Sequence, residues 1–135
     1  MSLVERDLIL GKNFAKTKSY EETITTFERA LEKCKSNSED YPETKIPELR
    51  YHLAKIKFEK KNIQTAISDF KEIRALKNLK ETWIKPWSHF YLGRCLEESG
   101  EFQRALAEYE AAYKFDDNEL RFQIDRRREE LQNSF

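Results

Sequence analysis

Apolar residues recur along almost the whole chain at three- and four-residue steps, the period of a helix that buries one face. Leu3, Leu10 and Phe14 mark a first helix, and Tyr20, Ile24, Phe27 and Leu31 a second. Leu49, Leu53 and Ile56 predict a third; Ile63, Ala66, Ile67, Phe70 and Ile73 a fourth. Phe90, Leu92 and Leu96 follow, then Phe102, Ala105, Leu106, Tyr109 and Ala112. A last stripe of Leu120, Ile124 and Leu131 predicts a helix from about 118 to 132, which makes seven. Brief breaks fall at Lys18-Ser19, Lys61-Asn62 and Ser99-Gly100-Glu101. Longer, proline-marked connections are expected from about Ser36 to Pro47 and from about Lys77 to Pro86.

Laid over one another, the helix pairs repeat. The segments LGKNFAKTKSYEETITTFERA, LAKIKFEKKNIQTAISDFKEI and LGRCLEESGEFQRALAEYEAA each open on a leucine and a small residue: Leu10-Gly11, Leu53-Ala54 and Leu92-Gly93. Tyr20, Ile63 and Phe102 then share one register, Thr23, Ala66 and Ala105 the next, and the aromatics Phe27, Phe70 and Tyr109 a third. Generic amphipathicity does not align small and aromatic positions in this way. The small residues are read as points of close approach between the two helices of a pair, and the aromatics as filling the space toward the next pair.

This pattern resembles the tetratricopeptide repeat, a helix–turn–helix unit with the signature W-x2-L-G-x2-Y…A-x3-F…P. The resemblance covers roughly Val4 to Glu119, with units at about 4–37, 47–76 and 86–117 in a single domain over 1–135. It has departures. Asp7, Arg50 and His89 stand in place of the leading tryptophan, and the closing proline is missing. Lys57 replaces an aromatic in the second unit. Leu10, Leu53 and Leu92 are 43 and 39 residues apart, whereas the family repeats every 34. The resemblance implies an all-α, right-handed solenoid closed by a capping helix whose outer face is polar. The Arg126-Arg127-Arg128 run of that helix is then read as a solvated face.

In this family the first helix of each pair lines a concave face that holds protein ligands. Counting turns from the leucine–small pair, that face should carry Leu8, Ile9 and Lys12 from the first unit. The second unit should add Tyr51, His52, Lys55 and Phe58, and the third Trp87, Phe90, Tyr91 and Arg94. Such a mixture of aromatics and cations suits an extended or helical peptide with apolar anchors and acidic groups. The plainer reading makes several of these aromatics core. Some relatives grip the acidic C-terminal tails of heat-shock chaperones with a clamp of Lys, Asn, Asn, Lys and Arg. The matching positions here are Leu8, Lys12, His52, Trp87 and Tyr91, so that ligand is not expected.

Composition narrows the alternatives. Only three glycines and three prolines among 135 residues suit long helices with short turns. Basic and acidic residues balance at 25 each, so no whole-molecule attraction to nucleic acid is expected. The charge is nonetheless uneven, because residues 45–85 hold eleven cations and five anions. That segment could meet phosphate, although a lysine-rich solvated surface is the simpler account. Cys34 and Cys95 read as free thiols in a reducing compartment. With no apolar run of signal or membrane-spanning length, this favours a cytoplasmic location. A domain cut from a longer polypeptide would read the same way.

Catalysis is not expected. His52 and His89, the only histidines, have no metal-ligand spacing around them, and there is no phosphate-binding glycine loop. No cofactor or metal is anticipated. The function expected from sequence is a protein-interaction module that binds a peptide or partner helix. Self-association, or packing within a larger protein, is the alternative.

Overall fold

The turns inside the helix pairs share one geometry. The structure, a computed structural model, describes residues 1–134. Its helices are α1 (Leu3–Lys16), α2 (Tyr20–Cys34), α3 (Ile46–Glu59), α4 (Ile63–Arg74), α5 (Ile84–Glu98), α6 (Phe102–Tyr113) and α7 (Asn118–Asn133). Where α1, α3 and α5 end, Lys18, Lys61 and Gly100 adopt positive φ angles of 60°, 69° and 78°. The amide of the following residue then reaches back five residues: Ser19 to the Phe14 carbonyl, Asn62 to Lys57 and Glu101 to Leu96, at 2.8–2.9 Å. This left-handed closure satisfies carbonyls that a helix end leaves open and reverses the chain in a few residues. Only the third turn uses glycine for it.

The expected all-α repeat is present, with seven helices and no strand among the described residues. Consecutive helices pack as neighbours, α1 with α2, α3 with α4 and α5 with α6; α3 also meets α5, and α5 meets α7. The close approach has a specific form. A Cβ built on Gly93 would lie 2.5 Å from the Tyr109 ring, and one on Gly11 would likewise meet the Phe27 ring. The rings therefore turn back onto the glycine of their own pair. Phe27 and Phe70 also reach forward, to His52 at 5.6 Å and to Tyr91 at 6.0 Å. Thr23, fully buried, donates its hydroxyl proton to the Ser19 carbonyl at 3.0 Å.

Three expectations need correction. In α1 the buried positions are Val4, Leu8 and Gly11, while Leu3 and Leu10 face solvent. The helix carries apolar residues on two sides, and the Gly11–Phe27 contact decides which one turns inward. Pro47 and Pro86 lie in the first turns of α3 and α5 rather than in connections. Proline is tolerated there because those amides have no helical partner. Finally, Arg127 is not part of a solvated face: its Nη2 donates to Glu97 at 2.6 Å, joining α7 to α5. Glu97 also accepts from the Tyr109 hydroxyl.

The interior divides in two. Val4, Leu8, Phe27, Ala30, Cys34, Tyr41, Leu49 and Leu53 form one cluster around the first pair. A larger one runs from Tyr51 on α3 to Leu131 on α7. The first long connection belongs to the smaller cluster. Tyr41 is buried and donates to Asp7 at 2.7 Å, and the Val4 amide donates to the Asp40 carbonyl at 3.1 Å.

These contacts set two expectations for unfolding midpoints. Gly93→Ala should gain about 1 kcal/mol of helix propensity. It must also displace a buried, hydrogen-bonded ring, so a net loss of about 1–2 kcal/mol is expected. In a Tyr109→Leu background the same change should cost nothing, and an undiminished cost there would show that the ring is not the obstacle. Lys18→Gly should stabilise by about 0.5–1 kcal/mol, since relief of left-handed strain outweighs glycine's entropy.

Candidate functional site

The residues expected to line the binding face divide by depth. Leu8, Tyr51 and Phe90 are only 4%, 5% and 2% exposed, so they are core and cannot meet a ligand directly. Leu8 belongs to the first cluster. Tyr51 is enclosed by Phe70, Trp83 and Tyr91 at centroid distances of 5.1–6.1 Å. Phe90 lies against Trp87, Tyr91 and Tyr109 at 5.2–5.7 Å. Phe58 is buried as well, whereas Ile9 is 47% exposed. Turn counting gave the direction of these side chains. It did not register that α3 and α5 are covered on both flanks, or that Trp83 folds over Tyr51.

Lys12, Lys55, Trp87, Tyr91 and Arg94 reach the surface, with His52 at its edge. The structure brings Lys12, His52 and Lys55 together around a cleft of about 310 Å³ between α1 and α3. Phe27 and Ile56 contribute apolar walls, and Lys16 adds a third cation. Lys55 continues the surface onto α5, because its Nζ lies 5.4 Å from the Tyr91 ring centroid. Arg94 sits over the Phe58 ring at the same distance. Trp87 is fixed from the other side: its Nε1 donates to Asp117 at 3.0 Å, and Asp117 also caps α7 through the Leu120 amide at 2.9 Å. The face is therefore pre-ordered by its own packing.

His52 is the most constrained member. It stacks on Phe27, and its Nε2 is buried without a hydrogen-bond partner, 3.8 Å from a Glu48 oxygen. Burial lowers its pKa below the ordinary 6.5, and the opposing influence of Glu48 is the weaker one. Glu48 is itself held below the usual carboxylate range by His52, then by Lys45 and Lys12. Of these neighbours the sequence pattern did not point to Lys16, Glu48 or Asp117. Lys16 was within reach, being one turn from Lys12 on the same helix face.

The thiols do not serve this face. Cys34 and Cys95 are free and buried. Burial raises the pKa of both and pushes Cys95 up to about 12, the opposite of an activated nucleophile. No helix among the described residues is long and apolar enough to cross a membrane.

Helices packed in adjacent pairs with matched turns define a helical-repeat protein. A family model of the tetratricopeptide repeat matches residues 86–119, which take in α5, α6 and the start of α7. The chain is thus a tetratricopeptide-like helical repeat, with its third pair the unit that fits the family pattern. No curated protein matches it. The repeat is in general a non-enzymatic unit of protein–protein interaction, and the match points to that class of function.

The environment of His52 predicts a pH dependence. Because its folded pKa lies below 6.5, the unfolded chain takes up its proton first as pH falls. The stability tied to the neutral ring is complete above about pH 6.5 and is lost as pH drops toward the folded pKa. His52→Phe, which keeps a ring against Phe27, should flatten the decline in urea midpoint between about pH 7 and pH 5. An unchanged slope would remove His52 from the titration.

Proposed function

We propose that the chain is a non-catalytic scaffold module that holds a peptide or partner helix bearing acidic and apolar groups along the face of α1, α3 and α5. The observation that carries this reading is the cleft where Lys12, Lys16 and Lys55 converge over the apolar surfaces of Phe27 and Ile56. Among the described residues Lys16 and Lys55 have no ion pair, Lys55 lies over the Tyr91 ring, and Lys12 is 3.9 Å from Glu48. Glu59 is the one anion on the cleft wall, so the local balance favours an incoming carboxylate. Tyr91, Trp87 and Arg94 extend the same face with the side chains that dominate protein recognition. Leu8, Tyr51 and Phe90 support it from beneath.

Nucleic acid is the weaker candidate for this charge. Many cations of the 45–85 segment already have partners: Lys57 pairs with Asp69, Lys60 with Glu21 and Arg74 with Glu108. Lys45 lies between Glu48 and Glu81. A chain that satisfies its cations internally has fewer to offer a phosphate backbone.

The test uses a labelled peptide alternating Asp and Glu with Leu and Phe, beside a counterpart with Lys in place of each acid. The acidic peptide should bind, and more weakly as salt rises. Lys12→Glu with Lys55→Glu should weaken it about tenfold or more, and Tyr91→Ala by a similar factor. Equal binding of the two peptides, or indifference to these substitutions, would displace the ligand from this face.

A further inference from the structure

Three ionisable groups stand in line at the lysine cleft. Lys12 of α1 lies 3.9 Å from Glu48 Oε2, and His52 Nε2 lies 3.8 Å from the same oxygen. Of the three side chains only Lys12, 48% exposed, is open to a ligand; those of His52 and Glu48 are 14% and 10% exposed. The other Glu48 oxygen is held by Lys45 at 3.5 Å, and Lys45 also meets Glu81 at 3.3 Å. Oε2 is therefore shared between a lysine that reaches solvent and an imidazole packed beneath it on Phe27.

His52 Nε2 is out of water and has no hydrogen-bond partner among the described residues. The charges around it decide whether the ring gains a proton. Lys12 faces it from α1, and Glu48 and Lys55 face it from α3. Phe27 of α2, Tyr51 and Trp83 surround it with rings, and burial pushes the Tyr51 phenol upward, so it stays neutral. Burial opposes a charged imidazole most, Lys12 and Lys55 oppose it further, and Glu48 alone favours it. Lys16 and Glu59 are the remaining charged groups of the cleft wall.

We propose that an acidic ligand filling the cleft draws a proton onto His52, so that binding tightens as the solution becomes more acidic. The coupling rests on the acidic-ligand reading of the cleft. Ligand carboxylates on Lys12 and Lys55 cancel the two cations that oppose an imidazolium. Lys12, drawn outward, also gives up Glu48 Oε2, whose charge then faces the ring alone. The ring takes its proton from solvent, and the imidazolium is balanced by Glu48. Because Nε2 is already out of water, covering the cleft adds little desolvation, and the change in charge sets the direction. A ring that holds its proton more tightly in the complex than in the free protein makes binding take up protons. Affinity then rises as pH falls.

The test uses the acidic peptide, N-acetylated so that carboxylates are its only titrating groups. Calorimetry in buffers of different ionisation enthalpy counts the protons exchanged on binding. A fraction of a proton should be taken up per peptide near pH 6, and almost none near pH 8. Affinity should be about threefold higher at the lower pH, as a rise of about one unit in the ring's pKa centred there gives. His52→Phe, which keeps a ring on Phe27, should abolish the uptake. His89, the only other histidine, lies against Glu108 at 2.7 Å, and His89→Gln should leave the uptake unchanged. In the wild type, the imidazole NMR signal that is missing from His52→Phe should titrate at higher pH once peptide is added. Binding without proton uptake, uptake that persists in His52→Phe, or an imidazole whose pKa stays or falls would overturn the coupling and leave the acidic-ligand reading standing. A peptide that fails to bind at all overturns both.

Discussion

A ring lying where a side chain is missing sets the phase of these helices. Phe27 occupies the space over Gly11, and Tyr109 the space over Gly93. A helix can rotate about its axis at little cost until one position becomes unique, and an aromatic ring admits no Cβ beneath it. Once Gly11 faces Phe27, Val4 and Leu8 must point inward with it, and Lys12 and Lys16 turn to the side where the cleft lies. The same constraint at Gly93 sends Leu92, Cys95 and Leu96 into the core and leaves Tyr91 and Arg94 at the surface. The candidate face thus follows from the packing of the pairs.

Tyr109 links that constraint to the end of the array. Its hydroxyl donates to Glu97, whose carboxylate also receives Arg127 from α7. Glu97 is nearly buried, and an unpaired carboxylate at such a site would be costly. The arginine therefore has a structural partner, and α7 is held in place by it. Asp117 acts similarly at the other end of α7, capping the helix while accepting from Trp87. Two polar networks, one at each end of the helix, tie the last element to α5 and orient an aromatic of the candidate site.

The helices were legible because their signal is periodic and local. The pairing was legible because leucine–small and aromatic positions recur in register. What escaped was phase and depth. α1 carries Leu3 and Leu10 on one side and Val4 and Leu8 on another, and period alone does not choose between them. Tyr51 and Phe90 lie at positions that point toward the face, yet neighbours from three helices and Trp83 cover them. Arg127 resembles its neighbours Arg126 and Arg128 until a buried glutamate thirty positions earlier is placed beside it. Each of these depends on a contact distant in sequence, which spacing does not encode.

The inserted residues of the first connection are built into the first cluster. In the later units consecutive first helices pack directly, α3 on α5 and α5 on α7. Around the first unit the chain uses its extra length differently. It sends Tyr41 into the first cluster, anchors it to Asp7, and fixes the start of α1 through Asp40. The core has two parts, and Phe27 of the first stacks on His52. The space beside that stack remains open, and lysines from α1 and α3 surround it. The candidate site therefore lies beside the junction of the two clusters, where Lys12 and Lys16 of α1 and Lys55 of α3 share an apolar floor of Phe27 and Ile56.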